Sequence, residues 1–312
     1  MLPEPKIIGL FGPTCVGKTA VSISLAGELD AEIVSVDSRQ IYREITIGTA
    51  KPSAAELAAV PHHFINERSV TDPITAGQYA EEARHRVAEI VSRGRSVLFV
   101  GGSTLYLHAL LFGLDDVPQT DPEVRARLRK QLEIAGLPSL VLQLARSDPE
   151  THGQIDLSNP RRVLRALEVF ETTGKPISFF QSSTKTPVIN ARIVVMNRER
   201  QDLYRRINAR VETMMTEGLV DEVNSLLEMG HSPALQALQT IGYREVADFL
   251  SGGTDRGIMV EAVKRNTRRY AKRQLTWFRR YPAFEWIEVR EDAAPSIVTT
   301  NLLNAILRTG EG

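Results

Sequence analysis

Residues 6–19 decide the fold, and they read Lys-Ile-Ile-Gly-Leu-Phe-Gly-Pro-Thr-Cys-Val-Gly-Lys-Thr. The first six form a short apolar run that leads into a glycine, a pattern typical of a buried parallel strand. Residues 12–19 then satisfy the phosphate-loop pattern GxxxxGK[ST], and a helical pattern follows from about residue 17. A strand, a glycine loop and a helix in this order predict a site for a polyphosphate or a diphosphate.

The residue types of this loop suit phosphate chemistry. Glycines let the backbone turn its N–H groups toward a phosphate chain, and the start of the helix adds positive potential. Lys18 supplies a positive charge, and the Thr19 hydroxyl suits a Mg²⁺ ion that bridges two phosphates. The predicted diphosphate-binding residues are Gly12, Pro13, Thr14, Cys15, Val16, Gly17, Lys18 and Thr19, with Thr19 as the metal ligand. The motif leaves open which polyphosphate binds and which bond breaks.

Strand and helix patterns alternate along most of the chain. Further strands are predicted at 31–36, 96–100, 191–196 and 284–289, with a short one at 61–65. Helical patterns cover about 17–29, 75–93, 103–112, 200–216, 218–229 and 254–280. This alternation predicts an α/β fold with a parallel sheet flanked by helices, of the P-loop NTPase-like type.

The middle of the chain differs, because residues 120–182 show helical periodicity and no convincing strand. Asp121-Pro122 and Asn159-Pro160 each place a capping residue before a proline, as at the start of a helix. We therefore expect an all-helical insertion domain. The expected division is 1–118 for the first part of the core, 119–186 for the insertion and 187–312 for the second part.

Three loops are expected to converge, because ligands of open α/β sheets bind outside the carboxyl ends of the strands. They are residues 12–19, 37–43 and 101–106. Asp37 follows the second strand, where it is a candidate for binding Mg²⁺, for acting as a general base or for capping a helix. Gly101, Gly102 and Ser103 follow the third strand, where a Walker-type NTPase often carries a metal-binding aspartate. A phosphate cradle with one carboxylate and a serine favours group transfer from a diphosphate over ATP hydrolysis.

More motifs follow in order along the chain. They are Asp37 to Tyr42 with residues 47–52 (Ile-Gly-Thr-Ala-Lys-Pro), Pro61-His62-His63, residues 100–102 with Leu105-Tyr106, residues 159–168 (Asn-Pro-Arg-Arg-Val-Leu-Arg-Ala-Leu-Glu), residues 241–245 (Ile-Gly-Tyr-Arg-Glu) and residues 267–278 (Thr-Arg-Arg-Tyr-Ala-Lys-Arg-Gln-Leu-Thr-Trp-Phe). Together with the phosphate loop they cover about residues 6–290, and on them the chain resembles the tRNA dimethylallyltransferases (tRNA isopentenyltransferases). No zinc-finger tail like that of the eukaryotic relatives is present, so the bacterial type is expected.

The resemblance implies transfer of a dimethylallyl group from dimethylallyl diphosphate to the exocyclic amine of the adenosine 3′ of the anticodon in tRNA. It implies that residues 14–19 hold the diphosphate and that Asp37 is the general base. With these roles, Lys18 and Ser103 are the further catalytic candidates, Lys18 to neutralise the leaving group and Ser103 to orient the amine. Ser103 stands where the family usually has threonine. The expected tRNA contacts are Asp37, Ser38, Arg39, Gln40, Ser103, Arg125, Arg161, Arg162, Val163, Leu164, Arg165, Arg244, Arg268, Lys272 and Arg273.

Charge gives two opposite indications about nucleic acid. The chain has 312 residues with 38 Lys+Arg and 38 Asp+Glu, so its formal net charge is zero, which taken alone argues against a polyanionic partner. Residues 264–280, however, contain eight basic and no acidic residues. A solvated helix face usually mixes the two signs, so this segment favours a surface for the phosphate backbone of tRNA over an ordinary solvated face.

The remaining composition indicates an ordinary cytoplasmic protein. A single cysteine excludes an internal disulfide and a cysteine-based zinc site. No apolar run approaches the roughly 20 residues of a membrane helix, and the N-terminus lacks the layout of a signal peptide. The expected partners are dimethylallyl diphosphate, Mg²⁺ and the tRNA anticodon stem-loop, bound by a monomer, with no membrane.

Two alternatives stay open at this point. A P-loop kinase or an adenylate isopentenyltransferase would act on a free nucleotide, but it would not need a basic helix or an arginine-bearing insertion. A non-catalytic RNA-binding NTPase switch would need affinity for ATP or GTP, and the sequence shows no guanine-specificity motif.

Overall fold

The computed structural model describes residues 6–181 and 186–307. Within them one sheet contains six strands: β1 (Ile7–Phe11), β2 (Ala31–Val36), β3 (His62–His63), β4 (Ser96–Gly101), β5 (Arg192–Asn197) and β6 (Glu285–Glu288). The strand order is β3-β2-β4-β1-β5-β6, and every pairing is parallel. The predicted parallel α/β sheet of the P-loop NTPase-like type is confirmed.

Outside the sheet, the described residues form helices and a short 3₁₀ turn at Ile47–Thr49. The helices are α1 (Lys18–Glu28), α2 (Ala54–Ala59), α3 (Ala76–Ser92), α4 (Thr104–Phe112), α5 (Pro122–Ser147), α6 (Pro149–Gln154), α7 (Pro160–Thr173), α8 (Ile177–Phe180), α9 (Arg200–Thr216), α10 (Leu219–Glu228), α11 (Tyr243–Leu250), α12 (Arg256–Phe278) and α13 (Pro295–Leu307).

Each face of the sheet has its own apolar core, which explains the continuous apolar runs of the central strands. Ile8, Leu10 and Leu98 on one face pack with buried residues of α1 and α13. Phe11 and Phe99 on the other face pack with buried residues of α3, α4 and α9 to α12. The sheet is therefore the middle layer of three.

The sheet register brings the ends of three strands to one level. Phe11 of β1 pairs with Gly101 of β4, and Gly101 pairs with Val36 of β2. The loops that follow these residues consequently start side by side. This is the geometric basis for a site that combines them.

The chain divides into two compact units, one of Met1–Phe112 with Pro187–Gly312 and the other of Gly113–Thr186. The described part of the second unit contains only helices, α5 to α8. Its core is built from buried residues such as Leu128, Leu144 and Leu167. Among the described residues of either unit, no helix has the length and apolar character needed to cross a membrane.

Candidate active site

The phosphate loop connects β1 to α1 and takes the tight curl expected of a phosphate cradle. Gly12, Cys15 and Gly17 have φ values of 149°, 65° and 110°, so three positions of the loop have a positive φ. A β-carbon on Gly12 would lie 2.6 Å from the carbonyl oxygen of Met196 at the end of β5. Gly12 is therefore required by close packing, and Gly17 by its backbone angle.

Lys18 begins α1, and its side chain folds back over the loop. Its Nζ donates to the carbonyl oxygens of Gly12 and Pro13 at 3.0 and 2.9 Å. Burial lowers the pKa of Lys18 to about 8, an effect that nearby Arg210 reinforces. The ammonium is thus held inside the loop in a place where an anion would stabilise its charged form.

Two arginines that follow β5 in the sequence donate hydrogen bonds to backbone carbonyls of the phosphate loop. Arg206 Nε on α9 donates to the carbonyl of Cys15 at 2.9 Å, and Arg198 Nε donates to the carbonyl of Val16 at 2.8 Å. Arg198 is buried and forms an ion pair with Asp202 at 2.9 Å. With carbonyl oxygens turned to these cations, the loop is fixed in its curled form.

Asp37 follows β2 and caps the turn that it begins. Its Oδ1 accepts hydrogen bonds from the backbone N–H groups of Arg39 at 2.8 Å and Gln40 at 3.2 Å. Ser103, two residues after the end of β4, accepts a hydrogen bond from the N–H of Ser38 at 2.9 Å. The serine hydroxyl therefore braces the loop that carries the carboxylate.

Tyr270 of α12 lies close to Asp37 and Ser103. Burial together with the charge of Asp37 raises its pKa to about 12, although the neighbouring Ser103 side chain acts to lower that pKa. The guanidinium of Arg273 lies 5.9 Å from the centre of the Tyr270 ring. Tyr270 therefore stays a neutral phenol beside the Asp37 carboxylate.

Gln274 lies one helical turn after Tyr270 and contacts two loops. Its Oε1 accepts from the N–H of Thr14 at 3.0 Å, and its Nε2 donates to the carbonyl of Gly102 at 2.8 Å. The side chain is almost fully buried, with 3% exposure. It links the phosphate loop to the end of β4.

These elements surround one cavity of about 640 Å³. Its lining includes the sequence-predicted residues Thr14, Cys15, Gly17, Lys18, Thr19, Asp37 and Gln40, together with Gly101 and Gly102. Gly12, Pro13, Val16, Ser38, Arg39 and Ser103 are not part of that lining, although all of them except Gly12 lie next to a residue that is. The phosphate loop and the Asp37 carboxylate therefore face the same space.

The 3₁₀ turn Ile47–Thr49 forms another wall of the cavity and is held from behind. Glu222 Oε2 accepts from the N–H of Thr46 and of Ile47, both at 3.0 Å. The buried Tyr243 hydroxyl donates to Glu222 and accepts from the N–H of Gly48 at 3.2 Å. In front, Gln40 Nε2 donates to the carbonyls that end the turn, those of Thr49 and Ala50, at 3.2 Å each.

The donor set of the cavity fits a metal ion that arrives with its substrate. No group of three or more His, Cys, Asp or Glu side chains in the described residues could hold a metal. Thr19 and Asp37 line the cavity as separate oxygen donors. Mg²⁺ commonly keeps several bound waters and binds through a few protein oxygens together with substrate phosphates. The two oxygen donors Thr19 and Asp37 fit this mode of binding.

The predicted tRNA contacts of the first unit, apart from those at the cavity, lie on α11 and α12. Arg244 is half exposed and pairs with Glu245 at 2.7 Å. Arg268 NH1 donates to Asn208 at 2.6 Å, whereas Lys272 and Arg273 are exposed to solvent. The last two cations are the ones most available to a polyanion.

The other predicted contacts lie in the second unit. Arg161 and Arg162 are exposed in the first turn of α7, whereas the side chains of Val163 and Leu164 are buried in the core of that unit. Arg125 is paired with the buried carboxylate of Glu168 at 3.3 Å, and burial lowers the pKa of the half-buried Arg165. Val163 and Leu164 therefore pack the helix from which Arg161 and Arg162 project.

Sequence reasoning did not select several residues that line the cavity: Arg206, Arg210, Glu217, Glu56, Tyr270 and Gln274. Arg206 and Arg210 stand four residues apart on α9, so a helix with arginines on one face was a usable signal. Glu217 and Glu56 show that Asp37 is not the only acid of this cavity, although it is the only one on the three converging loops.

Comparison with known protein families gives a match to the model described as IPP transferase over residues 40–281. A tRNA dimethylallyltransferase from Salinibacter ruber is 49% identical over 310 residues, which cover 98% of this chain and 95% of the relative. A tRNA dimethylallyltransferase from Chlorobium limicola is 43% identical and covers 95% of each chain.

Two solved structures are similar to the whole chain. The crystal structure of a tRNA isopentenylpyrophosphate transferase from Bacillus halodurans has a TM-score of 0.72 at 37% identity, covering 97% of this chain and 96% of the other. A eukaryotic dimethylallyltransferase seen in crystallographic snapshots acting on tRNA has a TM-score of 0.78 at 25% identity, covering 97% of this chain and 79% of the other.

Proposed function

The chain belongs to the tRNA dimethylallyltransferase (IPP transferase) family, and we propose that it transfers a dimethylallyl group from dimethylallyl diphosphate to tRNA. The acceptor is the exocyclic amine of the adenosine 3′ of the anticodon, and diphosphate is released. The observation that supports this most directly is the shared cavity, in which Lys18 and Asp37 face one space. One group suits the leaving diphosphate, and the other suits the attacking amine.

The leaving group requires neutralisation of its charge as the carbon–oxygen bond breaks. Lys18, Arg206 and Arg210 all line the cavity and supply cationic side chains for this purpose. Donors that are fixed before reaction stabilise developing charge at little cost in reorganisation. A Mg²⁺ ion held by Thr19 and the diphosphate oxygens would supply further charge neutralisation.

The nucleophile is a weakly basic aromatic amine that must lose a proton as it attacks the allylic carbon. Asp37 is the proposed acceptor of that proton. Its Oδ1 is engaged by the N–H groups of Arg39 and Gln40, which fixes the orientation of the carboxylate. Ser103, whose hydroxyl bonds to the backbone of Ser38, then serves the reaction by holding this loop in place.

The acceptor adenine lies in a stem-loop, so its amine becomes accessible when the base leaves the stack. Unpaired loop bases leave a stack more readily than paired ones, which suits an anticodon loop. For the RNA backbone we propose contacts to Lys272 and Arg273 of α12 and to Arg161 and Arg162 of α7. We further propose that residues 119–186 form the tRNA-binding insertion. The enzyme is proposed to be a cytoplasmic monomer.

The free-nucleotide alternative is not favoured, because the relatives are named for tRNA. One experiment tests all three possibilities: labelled dimethylallyl diphosphate and Mg²⁺ are mixed with unmodified tRNA, AMP or ADP. Label in tRNA alone supports the proposal. Label in a free nucleotide indicates an adenylate isopentenyltransferase, and no transfer to any acceptor supports the non-catalytic switch.

A further inference from the structure

The amide of Gln274 is the group that links the diphosphate half of the cavity to the acceptor half. Its Oε1 accepts a hydrogen bond from the N–H of Thr14, which belongs to the phosphate loop. Its Nε2 donates to the carbonyl of Gly102, which directly precedes Ser103, and Ser103 braces the Asp37 loop through Ser38. A short chain of hydrogen bonds therefore runs from the phosphate loop to the proposed base.

Gly101, which ends β4, and Gly102, which follows it, make room for this arrangement. A β-carbon on Gly102 would lie 2.4 Å from Gln274 Nε2 and 3.1 Å from the carbonyl oxygen of Gly12. A β-carbon on Gly101 would lie 2.1 Å from the carbonyl oxygen of Val36. The glycine pair is therefore required by close packing, because the space a side chain would take is filled by Gln274 and by backbone.

The orientation of the amide is defined by its partners. One end faces a backbone donor and the other a backbone acceptor, so a flipped amide would place like groups against each other at both ends. Both partners are backbone groups of loops that approach the substrate. Gln274 is held in turn by α12, where Tyr270, four residues earlier, lines the same cavity.

We propose that Gln274 is a positioning residue that sets the phosphate loop at a fixed distance from the Asp37 loop. This inference rests on the proposed transfer reaction. The side chain of Gln274 supplies one donor, Nε2, and one acceptor, Oε1. Both are required to align the leaving diphosphate with the carboxylate that takes the proton. Reaction rates respond strongly to small misplacements of such groups.

Gln274→Glu separates the two hydrogen bonds. An ionised carboxylate still accepts from Thr14 N–H but repels the Gly102 carbonyl, whereas a protonated carboxyl can donate to that carbonyl as the amide does. At about pH 8 we expect kcat/KM to fall about 10- to 100-fold below that of the wild type. The ratio of variant to wild type is then expected to rise as the pH is lowered toward about 6, where a buried carboxyl takes up its proton.

Taking the ratio removes the titration of the neighbouring groups, which both proteins share. The titratable or charged groups that line the cavity with Gln274 are Cys15, Lys18, Asp37, Lys51, Glu56, Arg206, Arg210, Glu217 and Tyr270. A ratio that stays flat over this range contradicts the inference, whatever its value.

Gln274→Met removes both hydrogen bonds at similar volume, and Gln201→Met on the exposed start of α9 is its matched control. We expect Gln274→Met to bind pyrophosphate about 10-fold or more weakly by calorimetry, with the control unchanged. A folded Gln274→Met protein with the control's affinity and kcat/KM overturns the inference. If circular dichroism shows that this variant does not fold, the Gln274→Glu ratio decides.

Failure of the proposed function has a different outcome. A wild-type protein that transfers no label to tRNA refutes the transfer reaction. The pyrophosphate affinities of the wild type, Gln274→Glu and Gln274→Met then still test the link to the phosphate loop, because they need neither tRNA nor turnover.

Discussion

At the scale of single residues, Asp37 combines a structural and a proposed chemical role, and one substitution separates them. Asp37→Asn keeps an oxygen that can accept from Arg39 and Gln40, so the turn is retained, but the amide cannot take a proton. We expect kcat to fall about 10²- to 10⁴-fold, with tRNA affinity preserved. Single-turnover transfer of labelled dimethylallyl groups measures the first, and filter binding of tRNA the second.

Asp30→Asn provides the control for this substitution. Asp30 precedes β2, is exposed and has a φ of 48°, a conformation that asparagine tolerates. Its transfer rate is expected to match that of the wild type. Full turnover by folded Asp37→Asn with saturating tRNA would remove Asp37 as the base.

The lowered pKa of Lys18 gives a pH dependence whose sign can be stated. In the free protein burial holds this pKa at about 8, and a bound anion favours the ammonium, so the pKa rises in the complex. Below about pH 8 Lys18 is already charged, and binding of pyrophosphate takes up no proton there. Above it, binding takes up a proton, and the affinity falls as the pH rises, by up to about tenfold per pH unit.

Calorimetry in buffers of different ionisation enthalpy measures this proton uptake directly. Lys18→Arg keeps its charge over the same range, because a guanidinium does not titrate there. The protons taken up by pyrophosphate itself are common to both proteins. Equal uptake by the wild type and Lys18→Arg at high pH would show that Lys18 is not the titrating group.

Local sequence was enough to predict the phosphate loop and Asp37, because each follows directly from a strand and the sheet brings strand ends together. Gln274 and Tyr270 could not be found in this way. Gln274 contacts Thr14, which lies 260 positions away in the sequence. The residues next to Gln274 give no sign of this contact, because it resembles any polar residue of a basic helix. Such a contact is set by tertiary packing, which spacing along the chain does not encode.

At the scale of elements, the 3₁₀ turn Ile47–Thr49 has no room for a side chain at its centre. A β-carbon on Gly48 would lie 2.4 Å from Cε2 of Tyr243, whose ring is fully buried. Gly48→Ala is therefore expected to displace the turn and to cost about 1–3 kcal/mol of unfolding free energy, as overpacking does. Because Gln40 is bonded to this turn, the transfer rate should fall as well.

The measurement is denaturant unfolding alongside the transfer assay, with Gly27→Ala as the control. Gly27 lies in α1, where an added β-carbon meets nothing within 4 Å. This control should gain about 0.5–1 kcal/mol, since glycine is a poor helix former. Unfolding of Gly48→Ala at the wild-type denaturant concentration would show that the Tyr243 contact is not limiting.

The buried central strands were predictable, whereas several helices were not. The central strands were predicted within one residue at each end, because burial on both faces gives continuous apolar runs. The helices α2 and α11 were not predicted, because their six and eight residues make too few turns to show a period. The longer helix α13 was not predicted either, although Val298, Leu302 and Ile306 are buried at every fourth position.

At the scale of the whole molecule, zero net charge conceals an uneven distribution. Residues 264–280 carry eight positive charges, so the other residues together carry a net charge of −8. Most of the segment's cations are exposed: Arg265, Arg269, Lys272, Arg273, Arg279 and Arg280. Lys264 is different, because it forms ion pairs with Glu212 at 2.6 Å and Glu261 at 2.7 Å.

This distribution predicts that tRNA affinity depends strongly on salt. Each phosphate neutralised by a lysine or arginine releases counterions, so log affinity should fall linearly with log salt. Replacing one exposed cation, as in Lys272→Ala or Arg273→Ala, should reduce the slope by about one.

Lys264→Ala is the matched control, and its slope should stay close to that of the wild type because the charge of Lys264 is already balanced within the chain. Fluorescence anisotropy of a labelled anticodon stem-loop over a salt series measures all four slopes. A flat plot for the wild type, or the same loss of slope for Lys264→Ala as for Lys272→Ala, would show that the tRNA backbone does not bind this face of α12.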